Sequence, residues 1–143
     1  RQFADGLPRI DGDPEKLRQV FVNLVNNAHH AMLDQGGGEL LLRTRMENDA
    51  VVVEIRDSGH GIPEKHLAKI FEPFFTTKPV GQGTGLGLSV SYGIIHEYGG
   101  TIGVESPVDD QQQGTLPGTL FRVRLPASGS GNLQIADRFG APA

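Results

Sequence analysis

The chain has 143 residues, 37% hydrophobic and 21% charged, with a formal net charge of −4 and no cysteine. That length and balance predict one globular domain with a core of its own, and they exclude a disulfide framework and a thiolate metal site. The acidic balance argues against nucleic acid as a partner, and no apolar run reaches membrane-spanning length, so no membrane contact is expected of this segment.

Asp13-Pro14 reads as a helix start, an Asp cap followed by Pro at the first helical position. Leu17, Val20, Phe21, Leu24, Val25, Ala28 and Met32 then recur at helical spacing, and Gln35-Gly36-Gly37-Gly38 ends the helix. Residues 39–46 and 50–57 read as strands around the turn Glu47-Asn48-Asp49. A short helix is expected near 64–70, and the Gly-, Pro- and Thr-rich stretch 72–85 is expected to be a mobile loop. A second long helix runs from Leu86 to Tyr98, with Leu88, Ser91, Ile94, Ile95 and Tyr98 on one stripe, until Gly99-Gly100 stops it.

Strands near 101–106 and 118–125 close the domain. In the second, Phe121, Val123 and Leu125 alternate with Arg122 and Arg124. A polar hairpin loop, 107–117, joins them. The pattern assigns 1–126 to one domain and 127–143 to a Gly-, Ser- and Ala-rich tail or linker. The chain opens on Arg1 rather than Met and is read as part of a longer protein, which leaves room for targeting or membrane segments upstream. The absence of cysteine suits a reducing compartment.

Three features carry chemistry. Asn23 and Asn27 lie one above the other on the helix, flanking the apolar stripe, with Gln19, Asn26 and His30 along the same edge. An amide oxygen there suits a hard cation such as Mg²⁺; taken alone, the edge reads more readily as a solvated flank. Asp57 falls, by strand alternation, on the face of Val51, Val53 and Ile55, so its carboxylate points toward the core and needs a donor. An adenine amino group with an ordered water would serve; an Asx turn is the alternative. Gly59 and Gly61 then allow backbone to approach a flat ring.

Third, Gly83-Thr84-Gly85-Leu86-Gly87-Leu88 opens directly into the second long helix. This pattern aims N–H groups and the positive end of a helix at an anion, or else makes a simple hinge. Lys78 is a candidate cation for a terminal phosphate, unless it is merely solvated. Neither a G-x-x-x-x-G-K-[ST] loop nor a G-x-G-x-x-G opening a βαβ unit is present, so phosphates must be held another way. The five histidines form no H-E-x-x-H pair, and neither a zinc site nor a hydrolase nucleophile is read.

In order, the motifs are Asp13-Pro14 through Asn23-Leu-Val-Asn-Asn27-Ala28, Asp57-Ser-Gly59-His-Gly61-Ile62-Pro63, Ile70-Phe71-Glu-Pro-Phe74-Phe75-Thr-Thr-Lys78, Gly83 through Ser89, Gly99-Gly100-Thr101-Ile102, and Gly118-Thr119 through Pro126. Over about Leu7 to Pro126 this series resembles the ATP-binding catalytic domain of bacterial sensor histidine kinases. That domain has the Bergerat fold shared with type II topoisomerases, Hsp90 chaperones and mismatch-repair ATPases. The stretches Phe-Phe-Thr-Thr-Lys and Asn-Ala-His-His-Ala-Met look most like the nitrogen-regulatory and oxygen-sensing branch.

The resemblance implies an α+β two-layer sandwich, a mixed sheet with helices on one face, with ATP and Mg²⁺ as cofactors. It makes Asn27 the Mg²⁺ ligand and places Asn23 near the phosphates. Asp57 would bind the adenine amino group, with Thr119 supporting it through water and Gly59, Gly61 and Ile62 lining the base. Phe71 and Phe74 would anchor a lid, residues 72–85. Gly83, Thr84, Gly85, Leu86, Gly87 and Leu88 would face the triphosphate. His30 stands where many members carry Lys or Arg, which raises the importance of Lys78; with Asn23 these are the candidate catalytic residues.

ATP-hydrolysing relatives place a Glu general base four residues before the metal Asn. Here that position is Asn23, which favours phosphoryl transfer to a nucleophile on another domain. His96-Glu97 is followed by Tyr-Gly-Gly inside a core helix and does not match an acceptor segment. The chain is expected to bind ATP without phosphorylating itself. Its implied partners are the dimerisation and histidine-phosphotransfer domain of the same protein and a response regulator receiver domain, in the cytoplasm. The alternatives are an ATP-hydrolysing relative and a degenerate nucleotide-binding interaction module.

Overall fold

A computed structural model describes residues 1–78, 85–108 and 118–128. The elements are β1 (Gln2–Phe3), α1 (Pro14–Leu33), β2 (Leu40–Glu47), β3 (Ala50–Asp57), α2 (Glu64–Leu67), α3 (Gly87–Glu97), β4 (Thr101–Glu105) and β5 (Thr119–Pro126). The strands form one sheet in the order β1-β2-β3-β5-β4; β1 runs parallel to β2, and the other neighbours are antiparallel. The sheet is mixed, and α1 packs on it and against α3, which gives the α+β two-layer arrangement expected from the sequence.

Local chemistry explains the long helices. The Asp13 side chain accepts the Glu15 N–H at 2.9 Å, and Pro14 occupies the first turn, where no N–H is missed. The Tyr98 hydroxyl, at the end of α3, accepts the Asp13 N–H at 2.9 Å and so ties the two helices end to end. The apolar stripe of α1 buries Val20, Leu24, Ala28 and Met32. Val20 and Leu24 join Ile55 of β3, Ile95 of α3 and Phe121, Val123 and Leu125 of β5 in the core. The alternation read in β5 is therefore the division between core and outer face.

The outer face carries charge. Glu54 takes Arg45 at 3.3 Å and Arg122 at 2.9 Å, while Glu47 pairs with Arg45 and Arg124. These partly exposed pairs each contribute little to stability, but they make the face turned away from the described helices polar.

Two elements depart from the sequence reading by more than a residue. β1 pairs only two residues, too few to show any period. α2 closes after Leu67 and continues as turns, because Ala68 caps it and Lys69 and Glu72 make i→i+3 bonds instead. Beyond Pro126 the chain stays bonded to the domain for two residues, Ala127 N–H to Asp49 O and Ser128 N–H to Arg9 O. The rest of the expected tail, 129–143, and most of the 107–117 loop lie outside the described residues.

Leu24 has no exposed surface and sits at the centre of the core. Leu24→Ala should cost about 2–5 kcal/mol of unfolding free energy, measurable as a lowered urea midpoint at unchanged m-value.

Candidate nucleotide site

Alternation along β3 carries Asp57 onto the core-facing side, where it is 3% exposed. Its register partner across the sheet is Thr119, the first residue of β5 and equally buried. The carboxylate accepts the Gly59 N–H at 2.9 Å and a second main-chain bond from Thr119. Burial pushes the Asp57 carboxyl pKa up, while these two donors and the neighbouring His60 pull it partly back. A carboxylate has about four lone-pair positions, so two main-chain donors leave room for a ligand N–H.

The loop after Asp57 is fixed closely against α1. His60 N–H bonds to Ala31 O at 3.2 Å, and a Cβ on Gly59 would stand 2.6 Å from that same carbonyl, so only glycine fits there. Gly61 and Ile62 follow. The Ile62 N–H donates to Ser106 Oγ at 2.7 Å, and Gly118 N–H donates to Gly59 O at 3.0 Å. Ser106, a buried hydroxyl at the end of β4, was not among the residues read from the sequence. It sits before Pro107 and passes for ordinary loop chemistry; only its 7% exposure reveals it.

The other end of the site lies along the polar edge of α1. Asn23 is half-buried; its amide donates to Ser91 Oγ at 3.2 Å. Gly87, the first residue of α3, lies so close that a Cβ would be 2.3 Å from Asn23 Oδ1. Asn23 thus joins α1 to the head of α3. Asn27, one turn on, is also half-buried, and among the described residues its side chain has no hydrogen-bond partner. Its amide oxygen fits a hard cation. Gln19 and Asn26 are exposed.

His30 and Lys78, 48 residues apart, meet: Lys78 Nζ lies 3.2 Å from His30 Nδ1. The two candidates for the terminal phosphate therefore share one place, at the end of the same helix edge.

Phe74 and Gly85, both described, meet across the stretch 72–85. Phe74 N–H donates to Gly85 O at 2.8 Å, and both residues have left-handed backbone, φ 67°. Phe71 packs its ring on Tyr92 of α3 and on Phe121 of β5, at 5.5 and 6.5 Å between centroids. The expected second ring anchor, Phe74, is different. Its reversed backbone turns the ring to solvent, 74% exposed, so Phe74 holds the loop by main chain, and Phe75 packs instead, against His66. Leu86 precedes α3 and is partly exposed, whereas Leu88 packs on the core. Gly83 and Thr84, and all of 79–84, lie outside the described residues. Among the described residues no cluster of three His, Asp or Glu could hold a metal, so a cation here would take ligands from a phosphate and water as well as from protein.

Residues 12–129 match the family described as histidine kinase-, DNA gyrase B- and HSP90-like ATPase. The chain is 46% identical over 132 residues to the sensor kinase CckA of Brucella abortus, covering 82% of this chain and 13% of that protein. It is 42% identical to sporulation kinase E of Bacillus subtilis (87% and 15%) and 42% identical to the sensor histidine kinase ZraS of Escherichia coli (87% and 24%). The chain thus spans less than a quarter of the length of these relatives. Among solved structures, the nucleotide-free catalytic domain of histidine kinase ThkA superposes with TM-score 0.70 at 35% identity, over 88% of this chain and 76% of that one. The mycobacterial sensor histidine kinase MprB gives 0.72 at 26% identity, over 88% and 83%.

The raised pKa of Asp57 has a defined sign in stability. The folded chain holds this proton more tightly than the unfolded one, so between the ordinary aspartate pKa and the raised folded value the wild type loses stability as pH rises. Asp57→Asn should remove that component and leave unfolding free energy at neutral pH equal to or above wild type. Urea unfolding across a pH series checks this; a variant clearly less stable at neutral pH would contradict it.

Proposed function

Because the chain belongs to the histidine kinase-, DNA gyrase B- and HSP90-like ATPase family, we propose that it is the ATP-binding, phosphoryl-donating module of a two-component sensor histidine kinase. The observation that carries this reading is the buried Asp57 carboxylate, held by the Gly59 and Thr119 main chain with capacity to spare, at one end of a site whose other end is the Asn23–Asn27 edge and the head of α3. An acceptor-only group enclosed in this way suits the adenine amino group.

Bound ATP supplies the transferable phosphoryl group, and Mg²⁺ neutralises its charge. The chain's own residues bind and orient. Asn27 would hold the cation by its amide oxygen. Asn23, fixed to Ser91, would stand beside the phosphates, and the N–H groups at the start of α3 would face them. Lys78, whose Nζ lies 3.2 Å from His30 Nδ1, would meet the terminal phosphate. Positioning and charge stabilisation are what phosphoryl transfer requires of a protein.

Transfer rather than hydrolysis follows from Asn23. An amide engaged with a serine hydroxyl cannot accept a proton from water as a carboxylate would. The relatives named as sensor kinases support a histidine on a separate dimerisation domain as the acceptor, with a response regulator receiver domain downstream and a cytoplasmic setting.

Two outcomes are expected with γ-labelled ATP and Mg²⁺. The chain alone takes up no label and shows no steady phosphate release, and it labels histidine when a histidine-bearing dimerisation domain is added in trans. Steady turnover by the chain alone, abolished in Asn23→Ala, would instead make it an ATP hydrolase. Separately, Asn27→Ala should weaken Mg²⁺-dependent nucleotide binding at least about tenfold, the scale of one charge-assisted contact, while Mg²⁺-free binding stays near wild type; equilibrium titration reads both.

A further inference from the structure

We propose that Ser106 is a specificity-determining positioning residue that fixes the Thr119 hydroxyl as an acceptor and so makes the site select a 6-amino over a 6-oxo purine. The inference rests on the nucleotide reading above and concerns how that same site discriminates.

Ser106 Oγ lies 2.9 Å from Gly118 O, 2.7 Å from Ile62 N and 3.2 Å from Thr119 Oγ1. A serine hydroxyl has one proton and two lone pairs. The Gly118 carbonyl can only accept, so the Ser106 proton goes there. The Ile62 N–H can only donate, so it fills one lone pair. The remaining contact joins two hydroxyls, and with the Ser106 proton spent, the Thr119 hydroxyl must be the donor. Ser106 is then saturated, as a buried hydroxyl should be.

The consequence falls on Thr119. Having given its proton to Ser106, it presents only lone pairs elsewhere. It lies directly across the β3–β5 pair from Asp57 on the same face, and Asp57 as a carboxylate is also an acceptor. Two acceptors side by side match a donating amino group and oppose a carbonyl oxygen. A site with fixed polarity rejects the mismatched analogue because its buried groups are left unpaired. Without Ser106 the Thr119 hydroxyl is free to turn and donate to a 6-oxo group.

The test is titration of the 143-residue chain with Mg·ATP and Mg·ITP, whose bases differ in the group at the 6-position and the adjoining ring proton. The wild type should prefer ATP. Ser106→Ala should reduce the ATP/ITP affinity ratio about fivefold or more, the scale of one neutral hydrogen bond, and Thr119→Ser, which keeps the hydroxyl, should retain the ratio. A purely structural Ser106 would weaken both nucleotides in parallel and leave the ratio intact, and that result would overturn the proposal. So would a loss of the ratio in Thr119→Ser. If Ser106→Ala lacks a cooperative melt, Ser106→Cys fills the site with a slightly larger side chain that is only a weak donor and acceptor, and is read in the same way. A wild type that binds ATP without preferring it over ITP defeats this inference alone; a wild type that binds neither defeats the nucleotide reading with it.

Discussion

A carboxylate forced toward the core is the constraint around which the site is organised. The alternation that turns Val51, Val53 and Ile55 toward the core gives Asp57 no choice of face, and an ionised group there is costly unless donors surround it. The neighbouring chain supplies some of them. The turn at Gly59 brings one N–H, the start of β5 brings another, and the Ser106 hydroxyl locks the two segments together through Ile62, Gly118 and Thr119. Burial still outweighs them and raises the Asp57 carboxyl pKa, so the charged group lowers the stability of the fold.

α1 serves as the ruler between the two ends of the site. It touches the Gly59–His60 loop at Ala31 and the head of α3 at Asn23, eight residues apart, or about 12 Å along a helix axis. The cap at Asp13, closed by the Tyr98 hydroxyl, and the Val20–Leu24 burial hold that ruler rigid against α3 and the sheet. Polar groups at both ends therefore keep a fixed separation, and the Phe74–Gly85 bond joins the described parts of the stretch 72–85 beside them. Rigid elements carry the polar groups here, which is what a site needs if it is to bind by orientation rather than by adjustment.

Periodicity made much of this legible beforehand. The stripe on α1, the alternation in β5 and the inward position of Asp57 are direct readings of 3.6- and 2-residue repeats, because burial leaves no other face for those residues. Pairings across long sequence gaps were not legible. His30 and Lys78 were each singled out, yet nothing in spacing says that residues 48 apart touch. Phe74 and Phe75 are adjacent and chemically identical; a single left-handed φ decides which ring packs on the core and which faces solvent. Ser106 escaped because a serine before proline looks like a turn, and its importance lies in burial that composition does not show. β1 is too short to leave any pattern at all.

The central claim is that Asp57 and the Asn23–Asn27 edge are two ends of one nucleotide site. Calorimetric titration of this chain with a non-hydrolysable ATP analogue, with and without Mg²⁺, tests it most directly. The account predicts saturable binding in the micromolar range that Mg²⁺ strengthens. No heat of binding in either condition would contradict it and would leave the buried carboxylate as a feature of the fold alone.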